Sequence, residues 1–240
     1  MVNLDSQKPW VVLPLKSVKN ANSRLRPILS PTEQQEVSLF MIKDVVSVLK
    51  RSINLGGLLI VTHCPIIKAY CENLEATFLE EDGNPQLNSA ITKAVRFLDQ
   101  LGVQKFLTVP GDVPLLSLSE LDRLIQCVQE SRGITLVPSH DGLGTNSLAS
   151  SIPIRISPQF GVDSFSVHQQ FAKDHDVSVD VLSLRGLGFD IDEPGDLLRL
   201  VSISGDSRTQ RYLSSINLDR RSSRFAEVND WGISRSGVLM

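Results

Sequence analysis

From residue 10 to about residue 214 the chain alternates short apolar runs with amphipathic stretches, and nothing else in it limits the fold so strongly. Runs at 10–15, 58–62, 105–109, 134–138 and 177–184 read as strands, with 74–79 as a weaker one. Between them, residues 30–49, 65–71, 91–101, 118–131, 164–173 and 194–201 read as helices, the longer ones with apolar positions at helical spacing. Parallel neighbours need a crossover, and helices must cover the sheet, so this order dictates an α/β domain with a largely parallel sheet. Two helix starts are written locally: Ser30-Pro31-Thr32-Glu33 and Ser117-Leu118-Ser119-Glu120 each place a capping hydroxyl three residues before a glutamate. Asp82-Gly83-Asn84-Pro85 is a turn cluster, and Gly102 closes a helix. No repeat or linker divides the pattern, which predicts one domain over 1–214 and an extension over 215–240. From Gly205 onward, Arg208, Arg211, Arg220, Arg221, Arg224 and Arg235 fall among serines with little apolar period. That composition favours a partly ordered extension over a lid or an oligomer arm.

Bulk properties exclude some functions. The 240 residues are 41% hydrophobic, enough to build one substantial core. Lys and Arg total 24 against 27 Asp and Glu, and a net charge of −3 argues against bulk attraction to nucleic acid. Cys64, Cys71 and Cys127 form no CxxC pair and read as reduced thiols. The first ten residues are too polar for a signal peptide. The longest apolar run, 58–61, is far short of the ~20 residues of a membrane helix. A soluble cytoplasmic protein is expected, with no membrane and no nucleic-acid partner.

Four segments carry candidate chemistry. In Pro110-Gly111-Asp112-Val113-Pro114 one acid is framed at the carboxyl end of a strand, where open parallel sheets place ligands; alone, it is as readily a turn former. The loop after the first strand holds Lys16, Lys19, Arg24 and Arg26, cations a triphosphate needs, yet it lacks the Walker pattern and on its own reads as a solvated basic loop. In Gly188-Phe189-Asp190-Ile191-Asp192-Glu193-Pro194 the two aspartates share a face if the segment is a strand. Two like charges so close call for a cation or donors, although Asp192 also suits the cap of the helix opening near Pro194. Mg²⁺ prefers such oxygen ligands, and Asp112, Asp190 and Asp192 would suit it. Last, Asp141-Gly142-Leu143-Gly144-Thr145-Asn146 offers glycines through which backbone N–H groups can approach an anion, or an ordinary loop. After it, Phe160-Gly161 precedes a helix in which Ser164 reads as an N-cap or a phosphate donor. His168, one turn further on, reads as a structural hydrogen-bonder rather than a base.

In this order, Lys16, Ser23-Arg24-Leu25, Leu87-Asn88, Pro110-Gly111-Asp112, Asp141-Gly142-x-Gly144-Thr145-Asn146, Phe160-Gly161-x-x-Ser164 and Asp190-x-Asp192 resemble the 2-phospho-L-lactate and phosphoenolpyruvate guanylyltransferases of coenzyme F-420 biosynthesis. The resemblance covers residues 10 to about 214. It implies a Rossmann-like three-layer α/β/α nucleotidyltransferase fold and transfer of GMP from GTP to a phosphorylated three-carbon acid, with release of pyrophosphate. It also implies Mg²⁺ held by Asp112, Asp190 and Asp192, and an acceptor held by Thr145, Gly161 and Ser164. Lys16, Lys19, Ser23 and Arg24 would meet the GTP phosphates, with Leu87 and Asn88 near the guanine; Asp112, Lys16 and Arg24 would carry the catalysis. Related sequences usually have lysine where this chain has Asn22, which leaves Lys19 or Arg26 to replace it. Phosphoenolpyruvate is the favoured acceptor, with 2-phospho-L-lactate and 3-phospho-D-glycerate as alternatives. A cytidylyl-, uridylyl- or molybdopterin-guanylyl transferase is a second reading, and a non-catalytic nucleotide-binding module a third. Oligomeric state stays open, a homodimer included.

Overall fold

The computed structural model describes residues 5–19, 21–71, 74–80 and 86–218, so the turn cluster at 82–85 and the tail from 219 lie outside the described residues. Strands β1 (Trp10–Pro14), β2 (Gly57–Val61), β3 (Thr77–Leu79), β4 (Lys105–Thr108), β5 (Ile134–Pro138), β6 (Thr145–Ser151) and β7 (Val179–Val181) form a seven-stranded sheet in the order β3-β2-β1-β4-β6-β5-β7. β1 pairs in parallel with both β2 and β4, β2 with β3, and β5 with β7. Only β6 runs against its neighbours, β4 and β5. The sequence pattern contained no signal for this strand. Its residues, Thr-Asn-Ser-Leu-Ala-Ser-Ser, are small and polar, yet all but the last are buried.

Layering follows from strand alternation. Val11, Leu13, Leu58, Ile60 and Leu107 face a core shared with helices α1 (Pro31–Leu49) and α2 (Pro65–Cys71), and with α4 (Leu118–Glu130). Trp10, Val12, Leu59 and Phe106 face the other way, onto Ala90, Ile91, Ala94, Val95 and Leu98 of α3 (Leu87–Gln100). Helix α5 (Ser164–Asp174) covers the β5/β6 part of the sheet through Ala172. The two predicted capping boxes, Ser30 with Glu33 and Ser117 with Glu120, are both formed.

One close approach fixes the β1/β2 pairing. A Cβ on Gly57 would lie 2.5 Å from ring atoms of Trp10, which is fully buried and has no room to swing away. Gly57→Ala is therefore expected to destabilise the protein by about 1–3 kcal/mol. It should appear as a lower urea midpoint with an unchanged slope.

The segment from Gly205 departs from its expected character up to residue 218. It forms α7 (Arg208–Ser215), capped by Ser207 with Gln210. Polar contacts rather than an apolar period anchor it: Asp44 of α1 accepts hydrogen bonds from the backbone N–H groups of Arg208 and Thr209 and from the Thr209 hydroxyl, at 2.9, 2.9 and 2.7 Å. Leu213 and Leu218 then join α6 (Pro194–Ser202) and α1 in a satellite core.

Candidate active site

From β1 the chain passes to β2 on one side, while β4 lies on the other. The crevice beyond the carboxyl ends of β1 and β4 is thus the switch point where open sheets bind ligands. A cleft of about 780 Å³ occupies it. Lys16 enters just after β1 and Asp112 after β4. Of the other predicted residues, Ser23, Arg24, Leu87, Thr145, Gly161, Asp190 and Asp192 also line the cleft, whereas Lys19, Asn88 and Ser164 do not.

The acidic side is assembled by backbone pairing. The N–H of Ile191 donates to the carbonyl of Asp112 at 3.0 Å, which lays residues 189–192 beside the end of β4. This segment is not a strand, but its period of two survives. Phe189 and Ile191 are buried in the satellite core, and Asp190 and Asp192 face the cleft. Capping does not occupy Asp192 as expected. The N-cap of α6 is Glu193, and Asp196 accepts from the N–H groups of both Asp192 and Glu193.

Asp190 is held by two residues that had no assigned role. The Asn146 amide donates to its Oδ1 at 3.0 Å and to the Leu187 carbonyl at 2.9 Å. His140 bridges Asp190 and Asp196, at 3.5 and 3.3 Å. Asn146 was legible only as part of its glycine motif, and nothing near His140 in the sequence marks it.

Asp112 is partly buried at the cleft floor. Burial first, then the like charges of Asp190 and Asp192, push its carboxyl up to about 7, while Lys16 pulls weakly the other way. Asp192, at the rim, is also raised, by loss of hydration and by Asp190, against Arg24. The Arg24–Asp192 contact is 3.8 Å between exposed side chains, so its contribution to stability is small.

The basic loop is tied down at two points. Gln34 of α1 donates to the Ala21 carbonyl, and Asn22 donates to the Ile191 carbonyl at 3.2 Å. Asn22 has φ +53°, a left-handed conformation that asparagine tolerates better than most residues. Asn22 is therefore a tether between the basic loop and the acidic segment. Neither Lys19 nor Arg26 lines the cleft.

On the opposite wall, the glycine-bearing loop is not an open anion nest. The N–H groups of Gly142, Leu143, Gly144 and Thr145 are engaged by the Ser139 carbonyl, Asp141 Oδ1, Ser139 Oγ and Ser164 Oγ, at 2.9, 2.9, 2.7 and 2.9 Å. Asp141 is the organiser of this turn, and its hydrogen bonds from Ser139 and Leu143 hold its carboxyl below the ordinary value. Ser164 is not the cap of α5, since Asp163 takes that place with φ +53°. Instead Ser164 is 2% exposed and props Thr145 from behind. Asn88 is likewise a bracket: its amide exchanges hydrogen bonds with the backbone N–H and carbonyl of Phe160, at 2.7 and 3.0 Å. Gly161 keeps an open backbone, with φ +147°.

The donor set fits a hard divalent cation. A partly buried carboxyl raised by its own burial and by two like charges is a group whose ionised form such a cation would restore. Among the described residues no three His, Cys, Asp or Glu side chains are gathered at metal-ligand spacing. The acids therefore offer part of a coordination shell rather than a closed cage. Mg²⁺ is typically held in that way, by one or two carboxylates plus substrate phosphates.

A mostly parallel sheet with basic and acidic side chains lining the cleft at its switch point is the arrangement of a ligand-binding α/β fold. Solved structures share the fold. A Desulfovibrio desulfuricans G20 protein described as a nucleotide-diphospho-sugar transferase aligns over 89% of this chain and 97% of its own, at TM-score 0.73 and 15% identity. The 4-diphosphocytidyl-2C-methyl-D-erythritol synthase of Anaerococcus prevotii aligns over 89% and 99%, at 0.60 and 12%. Residues 10–230 match the family described as "Guanylyl transferase CofC like", and the chain belongs to that family. It is 28% identical over 189 residues to the phosphoenolpyruvate guanylyltransferase of Conexibacter woesei, covering 78% of this chain and 85% of that one. It is 31% identical over 194 residues to the 3-phospho-D-glycerate guanylyltransferase of Colwellia psychrerythraea, covering 81% and 91%. The 2-phospho-L-lactate guanylyltransferase of Methanosphaera stadtmanae is 25% identical over 219 residues, covering 90% and 93%.

Proposed function

We propose that the protein transfers GMP from GTP to the phosphate of a small phosphorylated three-carbon acid, releasing pyrophosphate. Phosphoenolpyruvate is the favoured acceptor and the biosynthesis of coenzyme F-420 in the cytoplasm the setting. The observation that carries this reading is the convergence of Lys16, Asp112, Asp190 and Thr145 on one switch-point cleft in a chain of the guanylyltransferase family. No described helix is long and apolar enough to cross a membrane.

The chemistry asks little of a base. An oxygen of the acceptor phosphate, already anionic, forms a bond to the α-phosphorus of GTP, and the bond from that phosphorus to the bridging oxygen of pyrophosphate breaks. Positioning and charge stabilisation carry such transfers. Asp112, with Asp190 and Asp192, would hold Mg²⁺. When bound, the cation supplies charge neutralisation on the phosphates. Lys16 and Arg24 face the triphosphate, Leu87 contributes apolar wall, and Thr145 and Gly161 face the acceptor.

Incubation of the protein with GTP, Mg²⁺ and each of phosphoenolpyruvate, 2-phospho-L-lactate and 3-phospho-D-glycerate, with pyrophosphate and nucleotide products resolved, tests the proposal. Guanylylated product is expected with at least one acid, phosphoenolpyruvate being the best. No product with any of them, or a preference for CTP or UTP, overturns it.

A further inference from the structure

The acceptor wall poses a problem of hydrogen-bond polarity. With the N–H groups of residues 142–145 all engaged, an acceptor phosphate or carboxylate must be met there by other donors. Thr145 contributes a hydroxyl, and a hydroxyl can either donate or accept. Which it does is decided one layer deeper, by His168 on α5.

His168 is fully buried, and both ring nitrogens are engaged. The backbone N–H of Gln159 donates to Nε2 at 2.9 Å. A backbone N–H can only donate, so Nε2 must present its lone pair. In the neutral ring the proton then resides on Nδ1. Nδ1 lies 3.0 Å from Thr145 Oγ1, so Nδ1–H donates and Oγ1 accepts. The backbone of Ser164 also interacts with the ring and favours its charged form, but less than burial disfavours it. Burial keeps the ring neutral, lowering its pKa to about 4, and so fixes this arrangement at physiological pH. Because Nδ1–H donates to it, the Thr145 hydroxyl cannot donate to His168, and its own proton is left to offer the cleft.

We propose that His168 is a positioning residue, whose Nδ1–H bond to Thr145 and Nε2 acceptance from Gln159 lock the Thr145 hydroxyl as a donor to the anionic group of the acceptor. This rests on the acceptor reading given under Proposed function. His168 thereby ties the two edges of the acceptor subsite together, β6 through Thr145 and the loop before α5 through Gln159. Asn88 braces the next residue of that loop, Phe160.

Two conservative variants separate the two bonds. In His168→Asn the amide nitrogen can replace Nδ1–H as donor to Thr145. In His168→Gln the amide oxygen can replace Nε2 as acceptor from Gln159, but the donor to Thr145 is lost. His168→Gln is expected to raise the KM of the acceptor on the order of 10–100-fold with the KM of GTP unchanged, the scale of a misaligned hydrogen bond to a charged group. His168→Asn should stay within about threefold of the parent, by the same reasoning that its donor is retained. Thr145→Val should match His168→Gln, and the double variant should be no worse than either. Equal losses in both His168 variants, additive losses, or a matching rise in the KM of GTP overturn the proposal. The imidazole ¹⁵N spectrum of the ligand-free protein tests the polarity without any turnover: Nδ1 is expected protonated and Nε2 bare. A ring protonated at Nε2 overturns the proposal even if GMP transfer is confirmed, and the expected spectrum with no transfer would place the failure in the functional reading instead.

Discussion

Asp112→Asn is expected to lower the rate of GMP transfer on the order of 10²–10³-fold, the scale of removing one group that organises transition-state charge. Asparagine keeps the volume and leaves the backbone contact from Ile191 N–H to the residue 112 carbonyl in place, so the acidic segment should remain docked. Only the negative charge is removed. The three acids are not equivalent, and their environments rank the losses. Asp112 is partly buried beside two like charges, so on the proposed reading it has the most to gain from a cation in the cleft. Asp190→Asn should follow, because Asn146 and His140 already hold that side chain in place. Asp192→Asn should cost least, since this residue is exposed at the rim and shares its charge with Arg24. Pyrophosphate release at saturating Mg²⁺ and GTP measures the series; a loss for Asp192→Asn equal to that for Asp112→Asn would refute the ranking.

How much of this was visible in the sequence depends on the range of the interaction concerned. The strands that frame the cleft were legible because β1 and β2 are buried on both faces and so read as unbroken apolar runs. Two capping boxes were legible because they close within four residues. The pairing of Asp190 with Asp192 on one face was legible from their spacing, although a pinned irregular segment, not a strand, supplies the alternation. What escaped was long-range or polar. β6 escaped because a central strand of serines, threonine and alanine has no hydrophobic period; Ser147 and Ser150 are buried there with no hydrogen-bond partner for their hydroxyls among the described residues. Helix α7 escaped because Asp44, some 165 residues away in the chain, holds its first turn. The glycine loop was recognised, but the sequence left open whether its N–H groups were available to an anion. Their engagement by Ser139, Asp141 and Ser164 depends on side-chain geometry that no local pattern encodes.

The same charge that Asp112 is proposed to bring to catalysis should make the cation-free protein lose stability as pH rises. Its carboxyl is raised from 3.8 to about 7 in the folded state, so between those values the folded protein holds a proton that the unfolded chain has released. The unfolded state then binds fewer protons, and stability falls with rising pH across about pH 4–7, remaining at its lower level above. This is opposite to the usual carboxylate, such as Asp141, whose lowered value makes it stabilising above its unfolded pKa. A tenfold change in a protonation equilibrium corresponds to about 1.4 kcal/mol. Because the cleft is open to water, a discounted contribution of about 1–2 kcal/mol is expected. At about 2–4 °C per kcal/mol for a chain of this size, the difference in Tm is several degrees. Thermal unfolding in EDTA at pH 5 and pH 8 should therefore show Asp112→Asn more stable than the parent at pH 8, with the gap narrowed to less than about half at pH 5. On the proposed reading Mg²⁺ would compete with the proton for this carboxyl, so it should raise the Tm of the parent more at pH 8 than at pH 5 and do little for the variant. Identical pH profiles for the two proteins would mean that Asp112 carries no such strain. Removal of this acid would then lower turnover without the gain in stability that a buried, unneutralised charge requires.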